Sequence, residues 1–224
     1  MLIKKVKRVV RQWGHRLGVW EDWEQLPGVK GGEEQSSKWY DSVYESSVHY
    51  RQEFYESSYY PTWMVIADRL MASGCDSVLD VGCGPGQFAQ LLRFYGIRDY
   101  VGVDFSETAI AQAASRVPEY RFCVRDATRP VAFEGLGDSF DAVVCMEVLE
   151  HLDDDLAVVE NFRRGVRCLC TVPNFPYESH VRHFASADEV LGRYRQFFEN
   201  LAVLRIKGTR SDSEVFYLMD GVKS

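Results

Sequence analysis

The chain reads as an α/β protein: a doubly wound, seven-stranded, mainly parallel sheet ending in an antiparallel hairpin, with a helical N-terminal cap. Three observations predict it. From residue 77 onward, short apolar runs alternate with segments of helical spacing, the pattern of strand–helix–strand units with right-handed crossovers. The first run leads into Gly82-Cys-Gly-Pro-Gly86, a glycine turn where the backbone must bend sharply and approach a ligand. The last two runs, 200–207 and 214–220, are separated only by Gly-Thr-Arg-Ser-Asp-Ser, which suits a hairpin and leaves no room for a crossover.

Each element has its own local reason. In residues 1–20, Leu2, Val6, Val9, Trp13, Leu17 and Trp20 recur at three- and four-residue steps opposite Lys4, Lys7, Arg8 and Arg11, a basic amphipathic helix. Residues 26–37 are polar and glycine-rich, a linker or loop. Residues 39–63 are dense in Trp and Tyr beside polar groups, poor core material unless every hydroxyl is satisfied, and suited to capping a ligand pocket. Pro61 can open a helix that runs to Ser73-Gly74. Strand 77–81 and helix 86–95 follow, the latter stopped by Gly96. Next come strand 99–104 and helix 106–116, with Ser106 as N-cap and Pro118 beyond the end. Strands 120–125 and 140–146, helix 153–164, strand 166–172, an irregular stretch at 173–185 and helix 186–195 complete the body. This organisation divides the chain into a basic helix, linker and aromatic cap over 1–74 and a ligand-binding domain over 75–224.

Composition limits the function classes. Of 224 residues, 46% are hydrophobic, enough for one well-buried domain with an appended segment. No apolar run approaches the roughly 18–20 residues of a membrane span, and the basic start lacks the features of a secretory signal. The six cysteines, at 75, 83, 123, 145, 168 and 170, have no zinc spacing. Four of them, at 123, 145, 168 and 170, fall in predicted buried strands, and a cytoplasmic protein with reduced thiols is expected. The first 20 residues carry six basic side chains and no acid; the remaining 20 basic and 33 acidic residues leave the body at −13, within an overall −7. So acidic a body argues against broad nucleic-acid binding, leaving the basic arm as the segment that could meet an anionic or membrane surface.

In such sheets ligands bind beyond the carboxyl ends of the strands. Those ends read Gly82–Gly86, Asp104, Asp126, Met146-Glu147 and Pro173-Asn174. Gln87 stands where a dinucleotide fingerprint needs its third glycine, and no Gly-Lys-Ser/Thr supplies a phosphate loop. Asp104, about 20 residues beyond the turn, can accept two hydrogen bonds from a ribose diol. Asp126 can accept from an adenine amine, with the backbone of Ala127 nearby.

Val78 to Phe88, Tyr100-Val-Gly-Val-Asp-Phe-Ser106, Phe122-Cys-Val-Arg-Asp-Ala127 and Ser139-Phe-Asp-Ala-Val-Val-Cys-Met-Glu-Val-Leu-Glu-His-Leu152 resemble the successive motifs of class I S-adenosylmethionine-dependent methyltransferases, over roughly residues 75–220. The resemblance implies a Rossmann-like methyltransferase fold and S-adenosylmethionine as cofactor. It places Gly82, Cys83, Gly84 and Gly86 along the methionine moiety with Asp80 supporting the turn, Asp104 at the ribose, and Asp126 and Ala127 at the adenine, with Gln87, Phe105 and Met146 as further cofactor-binding residues. Glu147-Val-Leu-Glu-His151 is similar to a segment of ubiquinone-pathway O-methyltransferases. Small-RNA 3′-end 2′-O-methyltransferases share it, with further histidines acting as metal ligands.

A sulfonium cofactor has no phosphate, so the missing lysine is consistent with it. Methyl transfer is an in-line displacement in which the protein chiefly positions and desolvates the reactants. His151 and Glu147 are the candidate catalytic residues, needed if the acceptor must lose a proton. Tyr40, Tyr44, Tyr59, Trp63, Asn174, His180, Arg182 and His183 are candidates for the acceptor pocket, Arg182 as a partner for a carboxylate or phosphate. A divalent metal is possible but not favoured; its ligands would be Glu147, Glu150, His151 and His183. The leading expectation is methyl transfer to a small-molecule hydroxyl in a chain with no added recognition domain. The alternatives are a metal-dependent RNA 2′-O-methyltransferase bound through residues 1–20, a non-catalytic cofactor-binding module, and action on a lipid-linked acceptor at a membrane surface.

Overall fold

The computed structural model describes residues 32–137 and 140–224. The predicted helix at 1–20, and the linker up to residue 31, lie outside them. Seven strands form one sheet: β1 (Ser77–Val81), β2 (Asp99–Asp104), β3 (Arg121–Val124), β4 (Ala142–Met146), β5 (Arg167–Pro173), β6 (Phe198–Lys207) and β7 (Val215–Lys223), in the order β3-β2-β1-β4-β5-β7-β6. The first five pair in parallel, and β7 joins antiparallel to both β5 and β6. The expected doubly wound sheet and terminal hairpin are therefore present. Winding reverses between β1 and β4, which places the crevice of this fold at their carboxyl ends.

Period-two alternation divides each central strand between two cores. Val78, Tyr100, Val144 and Leu169 face one side, against Ile66 and Leu70 of α2 (Tyr60–Ala72) and Phe88, Leu91 and Leu92 of α3 (Gln87–Phe94). On the opposite side, Leu79, Val101, Val143 and Cys168 pack with Val158 and Val159 of α5 (Asp155–Glu160) and Val190 and Tyr194 of α6 (Ala187–Tyr194). Between α3 and α5 lies α4 (Glu107–Arg116), whose N-cap Ser106 accepts from Ala109 N at 3.0 Å as expected. Gly96, with φ at 87°, ends α3.

Some boundaries differ from the sequence reading. The helix expected over 153–164 shortens to α5, because Asp153 and Asp154 are drawn into the turn before it. β3 is an edge strand with partly exposed residues, so Cys123 is only partly buried, whereas Cys145, Cys168 and Cys170 sit in the core. The cap is α1 (Ser37–Ser46), two single 3-10 turns at Val48–Tyr50 and Phe54–Glu56, and then α2. Asp41 Oδ1 docks α1 on the start of α4, accepting from Ser106 Oγ at 2.5 Å and Thr108 N at 3.2 Å.

Candidate active site

The glycine turn is clamped onto β2. Gly82, Gly84 and Gly86 have φ of 77°, 51° and 80°, a left-handed run in which L side chains are strained. Gly82 N and Cys83 N donate to Val103 O, and Gly84 N donates to Asp104 Oδ2 at 3.0 Å. A Cβ on Gly82 would lie 2.1 Å from Val148 Cγ2, so the bare α-carbon is what lets the segment after β4 close against the turn. Asp104 also accepts from Ser106 N at 2.9 Å, and burial pushes its carboxyl up to about 6. Below the turn, burial pushes Asp80 up to about 7, opposed by the Tyr100 hydroxyl donating to it at 2.6 Å.

A pocket opens here, walled by Gly82, Val103, Asp104, Phe105, Asp126, Ala127, Val148 and Leu152. Gln35, Tyr40 and Tyr44 from the cap cover it, and Glu147 and His151 stand at its edge. Asp126 accepts from Thr128 N and Oγ1 at 3.0 and 2.6 Å, which fixes its carboxylate at the rim. Asn161 Nδ2 donates to Ala127 O and Arg129 O, holding this loop against α5; sequence reading missed that support. Tyr40 lies 5.3 Å from Phe105 and edge-on to His151 at 5.9 Å, so one cap ring touches both the expected ribose side and the expected catalytic side.

Beyond β4 the backbone is strained. Glu147 has φ of 55°, and Thr171, fully buried on β5, holds it by accepting from Glu147 N at 3.2 Å and donating to its carboxylate at 3.0 Å. Burial raises the pKa of both Glu147 and Glu150; Glu147 raises Glu150 further, whereas Glu150 acts on Glu147 in the opposite sense and favours its ionised form, so the pair keeps a proton at neutral pH. Glu150 is fully buried, and neither carboxyl oxygen accepts from a donor among the described residues. His151 Nδ1 lies 3.0 Å from Ser179 O, and His180 Nδ1 lies 3.0 Å from Phe175 O. A carbonyl can only accept, so both neutral rings carry the proton on Nδ1 and leave Nε2 as an acceptor. Burial lowers these imidazoles to about 4 and about 3.

One atom each from Glu150, His151 and His180 lie within 4.8 Å of one another. That group includes His180 and omits His183 and Glu147, correcting the expected ligand set: the turn after Tyr177 carries His180 back beside His151, their rings 4.7 Å apart. A buried carboxyl that accepts no hydrogen bond among the described residues and two imidazoles with Nδ1 tied to carbonyls form a donor set that, once Glu150 gives up its proton, fits a divalent cation.

Several expected site residues have other partners. Gln87 Nε2 donates to His49 O and Gln52 O, fastening the cap to α3. Arg182 donates to Leu149 O, Leu152 O and Asp153 O and pairs with Asp155 at 3.3 Å, so its guanidinium braces the Glu147–His151 segment and is not open to a ligand. Asn174 bridges Ser213 O and Val215 N. Met146 packs into the α2–α3 core, and the Cys83 thiol lies against Gly102, which leaves Cys83 only its backbone for a cofactor. Tyr59 and Trp63 stack on each other at 6.0 Å. Residues that the sequence reading did not single out stand at this end: Tyr50, Phe175, Arg210 and Glu214, Arg210 within the hairpin connection and Glu214 at the start of the run read as the last strand.

The winding, the glycine turn at the switch point and the acids at the ends of β2 and β3 have the layout of the Rossmann-like methyltransferase fold. Residues 79–168 match the methyltransferase domain family. A ubiquinone biosynthesis O-methyltransferase of Methylococcus capsulatus is 40% identical over 85 residues, which span 36% of this chain and 35% of that protein. Among solved structures, magnesium protoporphyrin IX methyltransferase of Synechocystis PCC 6803, with bound S-adenosylmethionine, is 20% identical with a TM-score of 0.54 and 97% of both chains covered. The methyltransferase domain of bacterial CtHen1 is 17% identical with a TM-score of 0.60, covering 73% of this chain and 98% of that one. The cyclase SpnF is 16% identical with a TM-score of 0.66, covering 87% and 97%. These three structures share the fold.

Proposed function

We propose that this chain moves the methyl group of S-adenosylmethionine to a hydroxyl oxygen of a small-molecule acceptor. The observation that carries this reading is the position of His151: it borders the same pocket as Gly82, Asp104 and Asp126, with Nε2 free to accept a proton. The chain would hold the cofactor with the glycine turn along its methionine part, Asp104 at the ribose and the Asp126–Ala127 loop at the adenine. The acceptor would enter between the cap and the segment after β4. As the carbon–oxygen bond forms and the sulfur–carbon bond breaks, the hydroxyl proton passes to His151 Nε2, beside which Glu150 Oε1 stands at 3.6 Å. The products are a methyl ether and S-adenosylhomocysteine. The ubiquinone-pathway relative supports oxygen as the target, and the methyltransferase-domain match over residues 79–168 includes Glu147 and His151. His151→Gln tests this: kcat should fall by about 10²–10⁴-fold with adenosylhomocysteine affinity unchanged. A variant of full activity would remove His151 from the chemistry.

A second reading is favoured by the buried Glu150 carboxyl, which accepts no hydrogen bond among the described residues. A divalent cation held by Glu150, His151 and His180 would acidify a bound hydroxyl and orient it. Loss of turnover on chelation, restored by added metal, would select this reading; activity indifferent to chelation would exclude it. The RNA and membrane-surface readings rest on residues 1–20, outside the described structure. No described helix is long and apolar enough to cross a membrane.

A further inference from the structure

Arg210 is a guanidinium that the reading above does not use. It sits on the connection between β6 and β7, which Thr209 ties to the cap by donating to Ser58 O at 3.0 Å. Its plane is held by rings and by one acid. The guanidinium carbon stands 5.1 Å from the Phe175 centroid and 5.6 Å from that of Tyr59. Glu214, almost fully buried, takes Nε at 2.6 Å and pairs with Nη2. Nη1 makes no hydrogen bond to any described residue, and the side chain is 46% exposed. Two other arginines of the fold are more fully engaged: Arg167 uses Nε, Nη1 and Nη2, and Arg182 donates to three carbonyls.

The surroundings of Arg210 place it at the acceptor end of the site. The Phe175 ring against it lies 5.6 Å from the ring of His180, which in turn lies 4.7 Å from that of His151.

We propose that Arg210 is a specificity-determining residue, its free Nη1 edge binding an anionic oxygen group of an aromatic acceptor whose hydroxyl lies inward at Glu147 and His151. This rests on the acceptor chamber assigned above and deepens it: the favoured acceptors are hydroxyaromatic carboxylates. Charge-assisted hydrogen bonds to a fixed guanidinium are stronger than neutral ones, and the rings of Tyr59 and Phe175 prevent the group from swinging away.

The test compares two probes that differ by one carboxylate, 3,4-dihydroxybenzoate and catechol. Their binding to the full chain saturated with S-adenosylhomocysteine is measured by calorimetry, and methyl transfer to each is followed separately. The wild-type protein should bind the benzoate about tenfold tighter or more. Arg210→Gln should erase that preference with catechol binding unchanged. Because the single change leaves Glu214 unpaired, Arg210→Gln combined with Glu214→Gln serves as a second variant and should show the same loss. A wild-type protein with no preference or no binding of the benzoate, or a preference that survives in both variants, overturns the proposal. An Arg210-dependent preference without any methyl transfer would instead remove the methyltransferase reading and leave this one standing.

Discussion

Substituting Gly82 by alanine perturbs the site at one atom, and its size can be worked out. The residue sits at φ 77°, where an L side chain costs about 1–2 kcal/mol. The new Cβ would also meet Val148 Cγ2 at 2.1 Å, an overlap that must be relieved by moving Val148, for about another 1–3 kcal/mol. The total, about 2–5 kcal/mol, is within what a domain of this size tolerates, so the variant should fold. Val148 lines the pocket, and its displacement should weaken adenosylhomocysteine binding by about tenfold or more. Urea unfolding and calorimetry measure the two effects. In a Val148→Ala background the overlap vanishes, and Gly82→Ala should then cost only the backbone part, a coupling of about 1–3 kcal/mol between the two sites. Equal costs in both backgrounds, or unchanged cofactor affinity, would refute the packing argument.

Asp80 gives a pH dependence of defined sign. Its folded pKa, about 7, lies above the ordinary 3.8, so between these values the folded chain holds a proton that the unfolded chain has released. Stability conferred by that proton is present at low pH and is lost as pH rises through this window, by up to roughly 4 kcal/mol. Asp80→Asn keeps an acceptor for Tyr100 and should be more stable than wild type at pH 8 but not at pH 4, as read by urea midpoints. Asp155 is a buried hub that accepts from Arg193 and from the Tyr194 hydroxyl and pairs with Arg182. Asp155→Asn should destabilise by about 3 kcal/mol, the low end for a broken buried pair because Arg193 retains 34% exposure. Since Arg182 braces the Glu147–His151 segment, that variant should also lower kcat.

How much of this was legible in the sequence follows from the range of the interactions. Strands, the glycine turn, the Ser106 cap and the Gly96 stop depend on neighbours a few residues away, and all of them emerged as expected. The acids at strand ends were also readable, because period and topology fix where a strand end lies. What failed was the assignment of side chains whose partners are distant in sequence. Arg182 and Arg210 are the same residue type, both in connections without periodicity; packing gives one to carbonyls of the turn before α5 and leaves the other with a free edge. His180 and His183 differ by three positions, and only the fold of 175–180 decides which ring returns to His151. Gln87 looked like a cofactor residue until the cap came down on it. Thr171 left a trace, a hydroxyl in the otherwise apolar run after Cys168, but its partner lies on a neighbouring strand's end.

The central claim is tested most directly by supplying S-adenosylmethionine labelled in its methyl group to the full-length chain with a panel of hydroxyaromatic acceptors, and locating the label by mass spectrometry. The account predicts label on an acceptor oxygen with one adenosylhomocysteine released per methyl transferred, and its loss in Asp104→Ala. A chain that binds the cofactor but labels no acceptor across the panel would contradict it.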